Sequence, residues 1–217
     1  MIQMNKIGLF GGTFDPPHRA HLSMALAFIE QIGLSELILI PAGTPYHKQN
    51  PTKTSPQHRL AMCELLAQTD TRIAVSDIDI QRQGNTYTYD TVRIFRECTN
   101  AQLWWLLGSD SLCQLHTWYR YEQLLRLVNF AVVMRDNDNI ESLPEKTRNI
   151  LIKGMAASDN NENVGQIKLL SIPPDSISST YIRQQLNQQS FRQTESLSQY
   201  VLPSVAQYIL QNNLYSS

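Results

Sequence analysis

The chain has 217 residues, enough for one domain with a sizeable core, and carries 18 Lys and Arg against 19 Asp and Glu for a formal net charge of −1. That balance gives no global attraction to nucleic acid or to an anionic membrane, so any anion must be held by a few locally placed cations. Cys63, Cys98 and Cys113 form no CxxC pair, no window approaches the roughly 18 apolar residues of a membrane span, and Met1 to Lys6 shows no leader, so a cytoplasmic protein with reduced, buried cysteines is expected.

Ile7-Gly8-Leu9-Phe10 reads as a buried strand, and Leu22, Ala25, Leu26 and Ile29 fall at helical spacing before Gly33 stops the helix. Leu37 to Ile40 is a second strand closed by Pro41, which completes a βαβ unit with parallel strands. The alternation goes on with a helix near 56–68, a strand near 72–75, a helix near 89–98 and the apolar strand Leu103-Trp104-Trp105-Leu106-Leu107, where at least one tryptophan should be core. A short helix after Gly108, a helix near 121–127 and a strand near 130–134 follow. The stretch 135–163 is polar, with an exposed loop expected at 158–163 and no role assigned to the segment. A strand near 167–172, Pro173-Pro174, a helix start at Ser178-Ser179-Thr180 and a helix over 205–210 end the chain. The order predicts an α/β, Rossmann-like, doubly wound parallel sheet with helices on both faces: one domain over 1–217, with a small C-terminal helical region from about residue 173.

The most informative stretch is Gly11-Gly12-Thr13-Phe14-Asp15-Pro16-Pro17-His18-Arg19-Ala20-His21, which links the first strand to the first helix. Two glycines let the backbone come close to an anion, the prolines end strand pairing, and His18 and His21 share one face of the first helical turn. The helix N-terminus adds partial positive charge and free N–H groups there. A pair of core histidines is an alternative, whereas a zinc site would need further ligands of HExxH or CxxC type that the sequence lacks. A second anion seat is read at Ile177-Ser178-Ser179-Thr180-Tyr181-Ile182-Arg183, where hydroxyls and N–H groups start a helix and Arg183 lies about one turn on. An ordinary Ser/Thr cap with a solvated arginine is its bland counterpart. Two such seats in one α/β domain suggest a nucleoside triphosphate.

These two stretches resemble the GGTFDPxHxGH and ISSTxIR signatures of the nucleotidyltransferase superfamily, and within it the chain is similar to the bacterial nicotinate-nucleotide adenylyltransferases. The resemblance extends through Pro41 to Lys48, Thr86 to Thr91, Gly108 to Leu112, Thr117-Trp118-Tyr119 and the C-terminal Leu202-Pro203 to Leu214-Tyr215. Ala20 departs from the family's glycine.

The resemblance implies adenylyl transfer from ATP to nicotinate mononucleotide, giving nicotinate adenine dinucleotide and pyrophosphate in NAD biosynthesis. It assigns catalysis to His18, His21, Lys48 and Arg183, with His47 adding positive charge. ATP binding falls to Gly11, Gly12, Thr13, Phe14, His18, His21, Gly108, Asp110, Ile177, Ser178, Ser179, Thr180 and Arg183, with the C-terminal region completing that site. The mononucleotide falls to Thr13, His47, Lys48, Thr86, Trp118 and Tyr119, with Trp118 stacking on the pyridine ring; on the residues alone, a tryptophan such as Trp118 is more often a packing residue. Magnesium would ride on the ATP phosphates and not on protein ligands. The absence of a nucleophile signature fits, because the acceptor's phosphate, with its second pKa near 6, can itself attack the α-phosphate. Nicotinamide mononucleotide and phosphopantetheine remain rival acceptors on the same fold. A dinucleotide-dependent dehydrogenase is disfavoured because the first turn is not GxGxxG and no acidic residue ends the second strand. A non-catalytic nucleotide sensor is disfavoured by the intact His18, His21 and Arg183.

Overall fold

The computed structural model describes residues 5–43, 54–82, 84–134, 140–159, 164–172, 177–188 and 191–216. Strands β1 (Lys6–Gly12), β2 (Glu36–Pro41), β3 (Ile73–Val75), β4 (Gln102–Gly108), β5 (Asn129–Val133) and β6 (Ile167–Leu170) form one sheet. Its order is β3-β2-β1-β4-β5-β6 and every pairing is parallel. The connections therefore reverse direction between β1 and β4, which opens a crevice beyond their carboxyl ends, Gly12 and Gly108.

Strand β4 is buried from Gln102 to Leu107 because a parallel sheet is covered on both faces. Its side chains alternate between those faces. Trp104 and Leu106 join Phe10 beneath helix α1 (Arg19–Ile32), which contributes Ala25, Phe28, Ile29 and Ile32, and helix α2 (Pro56–Ala67), which contributes Cys63 and Leu66. Leu103, Trp105 and Leu107 join Leu9 on the other face. There they meet Val92 of α4 (Thr88–Cys98), Leu112 of α5 (Ser109–Gln114) and Leu124 of α6 (Tyr121–Leu124), with the short α3 (Ile78–Gln81) nearby on the same connection as α4. Both tryptophans are thus core, and burying each removes an area worth ~3 kcal/mol or more from water. Gly33 ends α1 as expected, in the left-handed region at φ 73°, with its N–H bonded to the Ile29 carbonyl at 3.0 Å.

The polar stretch after β5 contains an element the sequence reading missed, the fifteen-residue helix α7 (Glu145–Asp159). Thr147, Leu151, Gly154 and Ala157 form its buried stripe, while Ile152 and Met155 face solvent. The stripe is small and partly polar and the outer face carries apolar residues, so the usual amphipathic signal is weak. Gly154 lets the helix lie close on β6: a Cβ there would come 2.2 Å from Ile167 Cγ1. The cysteine expectation also needs correction, because Cys63 is buried but Cys98 is exposed and Cys113 only half-buried. Cys98 ends an α4 whose buried residues, Thr91 and Val92, are near its start.

The C-terminal helices α8 (Ser179–Gln185), α9 (Thr194–Leu197) and α10 (Pro203–Gln211) build a third apolar cluster. Ile182, Leu186, Leu197, Val201, Val205 and Ile209 pack there against Met62 of α2, so α2 is shared between the sheet and the C-terminal region. Among the described residues no helix is long and apolar enough to cross a membrane.

Candidate functional site

Helices α1 and α5 both start at the crevice, directly after β1 and β4. His18 caps α1 in an extended conformation, and its backbone N–H donates to His21 Nδ1 at 3.2 Å. The two imidazoles lie 3.7 Å apart between centroids, tilted by 32°. Phe14, buried and in the left-handed region at φ 51°, sets its ring edge against His21 at 5.0 Å. Because Nδ1 of His21 accepts, the hydrogen-bond network assigns the proton of its neutral ring to Nε2, which is then a donor. Burial, followed by the neighbouring His18, pushes the His21 pKa well below its ordinary 6.5, so this ring is neutral at pH 7. The pair therefore offers an anion N–H donors as much as charge.

The two glycines of the loop have packing reasons as well. A Cβ on Gly11 would come 2.5 Å from the indole of Trp105, and one on Gly12 would come 2.9 Å from the Phe14 ring. Gly108 differs: among the described residues nothing lies within 4 Å of its Cβ position, which is open space at the end of β4. Beside it Asp110 is exposed in the first turn of α5, and the buried Ser109 Oγ meets no hydrogen-bond partner among the described residues.

The second predicted anion seat is joined directly to the first. Ser179 Oγ donates to the Pro16 carbonyl at 2.9 Å, and Arg183 Nη1 donates to the Asp15 carbonyl. Ser178 Oγ caps α8 by accepting from Tyr181 N at 3.2 Å, and Thr180 Oγ1 accepts from Arg183 Nη2 at 3.2 Å. Ser179 thus spends its hydroxyl proton within the protein, whereas Ser178 and Thr180 act as acceptors in these bonds and keep their O–H groups. Arg183, with its side chain 31% exposed, remains the cation at that face. Ile177 packs against the third cluster.

Three further residues build this site without having been singled out for it in the sequence. Arg59 of α2 is fully buried and donates to the carbonyls of Thr13 and Gly43, each at 2.9 Å. Burial lowers its pKa, opposed chiefly by the nearby Asp15. Asp15 is buried and accepts from the Tyr215 hydroxyl at 2.7 Å, across 200 residues of sequence. Arg19, lying between the two histidines in sequence, is spent on the C-terminal region: its N–H donates to Tyr200 O at 2.8 Å and its guanidinium to Ser198 O at 3.0 and 3.1 Å. The Asp-Pro turn and the terminal Leu-Tyr were visible signals, but nothing local marked Arg59.

Of the residues assigned to the mononucleotide, Thr86 lies just before α4 and Trp118 and Tyr119 follow α5, and the two segments meet through Tyr87 and Tyr119. Thr86 is buried, and Tyr87, the residue before α4, stacks on Tyr119 at 4.6 Å. Trp118 is half-buried and packs on the cluster beneath, so it has the expected packing role on one side and a surface on the other. Arg120, left-handed at φ 53°, lies over the rings of Tyr119 and Tyr89 at 5.1 and 5.3 Å. Below this segment Asp79 accepts from Thr91 Oγ1 at 2.6 Å and lies 3.5 Å from Arg82, while burial pushes its carboxyl up. A Cβ on Gly43 would come 2.2 Å from the Asp79 carbonyl. Gly43 is thus held between Arg59 and Asp79 and couples the two halves of the site. His47 and Lys48 lie outside the described residues.

The cytidylyltransferase-like family model matches residues 9–185. A Neisseria meningitidis protein named "Probable nicotinate-nucleotide adenylyltransferase" is 46% identical over 213 residues, 98% of this chain and 99% of its own length. The Bacillus subtilis nicotinate-nucleotide adenylyltransferase is 32% identical over 216 residues, 99% of this chain and all of its own. Among solved structures, the Plasmodium falciparum nicotinic acid mononucleotide adenylyltransferase, seen in complexes with APC and with NaAD, superposes with a TM-score of 0.73 over 97% of each chain at 22% identity, a likeness of fold.

Proposed function

The chain belongs to the nicotinate-nucleotide adenylyltransferases within the cytidylyltransferase-like family, and from that premise we propose that it transfers the adenylyl group of ATP to nicotinate mononucleotide. The products are nicotinate adenine dinucleotide and pyrophosphate. The observation that carries the reading is the stacked His18–His21 pair at the start of α1, joined through Ser179 and Arg183 to α8 across the mouth of the crevice.

The acceptor's phosphate monoester is mostly dianionic at neutral pH and attacks the α-phosphate of ATP in line, forming the new P–O bond as the bond to pyrophosphate breaks. No general base and no covalent intermediate are needed, so the protein's contribution is positioning and charge stabilisation. The first α1 N–H groups, the His21 Nε2–H, His18 and Arg183 face the charge that moves onto pyrophosphate. Lys48 and His47 are proposed to add to it. Gly108 lets the nucleotide approach the β4 end, where Asp110 is placed to accept from ribose hydroxyls. Magnesium brought with ATP would be held by phosphate and water oxygens and would offset part of the triphosphate charge. The donor set agrees with that division, because the one buried carboxylate of the loop, Asp15, is already engaged by Tyr215.

Trp118 offers an aromatic plane for the pyridine ring, with Thr86 and Tyr119 beside it. Steady-state turnover with nicotinate mononucleotide, nicotinamide mononucleotide and phosphopantetheine tests the assignment. A kcat/KM highest for nicotinate mononucleotide is expected, and a preference for either of the others would overturn it.

A further inference from the structure

Tyr215, near the end of the chain, has no part in the proposed chemistry, yet the fold carries it back to the phosphate loop. It sits in the left-handed region at φ 60°, and its hydroxyl meets Asp15 Oδ1 at 2.7 Å. The Asp15 side chain is only 3% exposed, so its oxygens must be satisfied by protein groups. Arg183 supplies no full ion pair: its Nη1 donates to the Asp15 carbonyl and stays 3.9 Å from Oδ2, while Nη2 is turned to Thr180 Oγ1. Arg59 is the other cation nearby, but both of its Nη groups are held by the carbonyls of Thr13 and Gly43.

We infer that Tyr215 is a positioning residue: its hydroxyl satisfies the Asp15 carboxylate and so leaves the Arg183 guanidinium at the mouth of the crevice, available to nucleotide phosphate. A buried carboxylate robbed of its phenol donor attracts the nearest guanidinium to bidentate contact near 2.8 Å. Arg183 is the group that can move, being on the rim of the site with 31% of its side chain exposed. Capture by Asp15 rotates its planar fork into the loop and away from the ligand. Burial raises the Tyr215 pKa, so the phenol remains a protonated donor at any working pH.

The inference rests on the reading that Arg183 faces the ATP phosphates, and the test separates the two. Binding of a non-hydrolysable ATP analogue with magnesium is measured by calorimetry with no acceptor present, for the wild type, Tyr215→Phe, Asp15→Asn and the double variant. Tyr215→Phe keeps the half-buried ring and is expected to weaken analogue binding about tenfold, the effect of losing ~1.4 kcal/mol from a charge-assisted contact. In the Asp15→Asn background the same change is expected to cost less than about twofold, because an uncharged side chain no longer captures Arg183. Equal affinity of wild type and Tyr215→Phe overturns the inference, as does a loss of the same size in both backgrounds, which is the mark of a merely structural role. Should Tyr215→Phe alone fail to fold, the comparison within the Asp15→Asn background decides, a loss near tenfold refuting the inference. A wild type that does not bind the analogue overturns the proposed function itself.

Discussion

Replacing Arg59 by Met tests whether a buried cation organises the loop between β1 and α1. Met retains much of the length and the apolar stem but donates nothing to the carbonyls of Thr13 and Gly43, each now bonded at 2.9 Å. Hydrogen bonds from a charged donor are worth about 1.5–3 kcal/mol each, so two give an upper bound of ~3–6 kcal/mol. Two effects offset part of this: the variant no longer buries a guanidinium whose Nε has no partner among the described residues, and water can reach the half-buried Thr13. A third adds to the loss, since Asp15 keeps its buried charge with one compensating cation fewer. The net expectation is a loss of ~3 kcal/mol in urea unfolding at pH 7. For a chain of this length that corresponds to roughly 6–12 °C in Tm. Arg59→Lys, which can reach one carbonyl, should fall between the two. A loss below about 1 kcal/mol would refute the reasoning, showing that Thr13 and Gly43 need no buried donor.

Because the His21 pKa is depressed in the folded chain, the unfolded state binds more protons at acid pH, and stability should fall as pH drops below about 6.5, the unfolded value. Urea midpoints from pH 5 to 8 check this, and His21→Asn should flatten the slope below pH 6.5. Gly11→Ala places a methyl group 2.5 Å from the Trp105 indole and should cost ~1–3 kcal/mol by overpacking, read by thermal unfolding; a neutral change would mean the strand shifts freely. Trp118→Ala should raise the KM for the mononucleotide far more than that for ATP. Equal increases in steady-state assays would assign Trp118 to packing alone.

The amino-acid order alone determined the alternation of strands and helices and the placing of His18, His21 and Gly108 where strands pass into helices, whereas the crevice between β1 and β4 follows from the strand order of the folded sheet. The alternation and the placing rest on local rules: apolar periodicity, glycine and proline at turns, and residue spacing within one helical turn. With β6 at the sheet edge, the strand order does not by itself bring the two predicted anion seats together; Ser179 and Arg183 meet Pro16 and Asp15 only in the tertiary structure. Helix α7 escaped because its buried stripe of Thr147, Leu151, Gly154 and Ala157 is shaped by the close approach of Ile167, which no local pattern records. The tertiary structure alone decided what stiffens the site. Arg59 reaches Thr13 across 46 residues, Arg183 reaches Asp15 across 168, and Tyr215 reaches Asp15 across 200. It also gave Gly11 and Gly12 a second reason, room for Trp105 and Phe14, and gave Ser178 and Ser179 a role in fastening the start of α8. A buried cation or phenol is defined by the groups that surround it in space, and those groups meet only once the chain has folded.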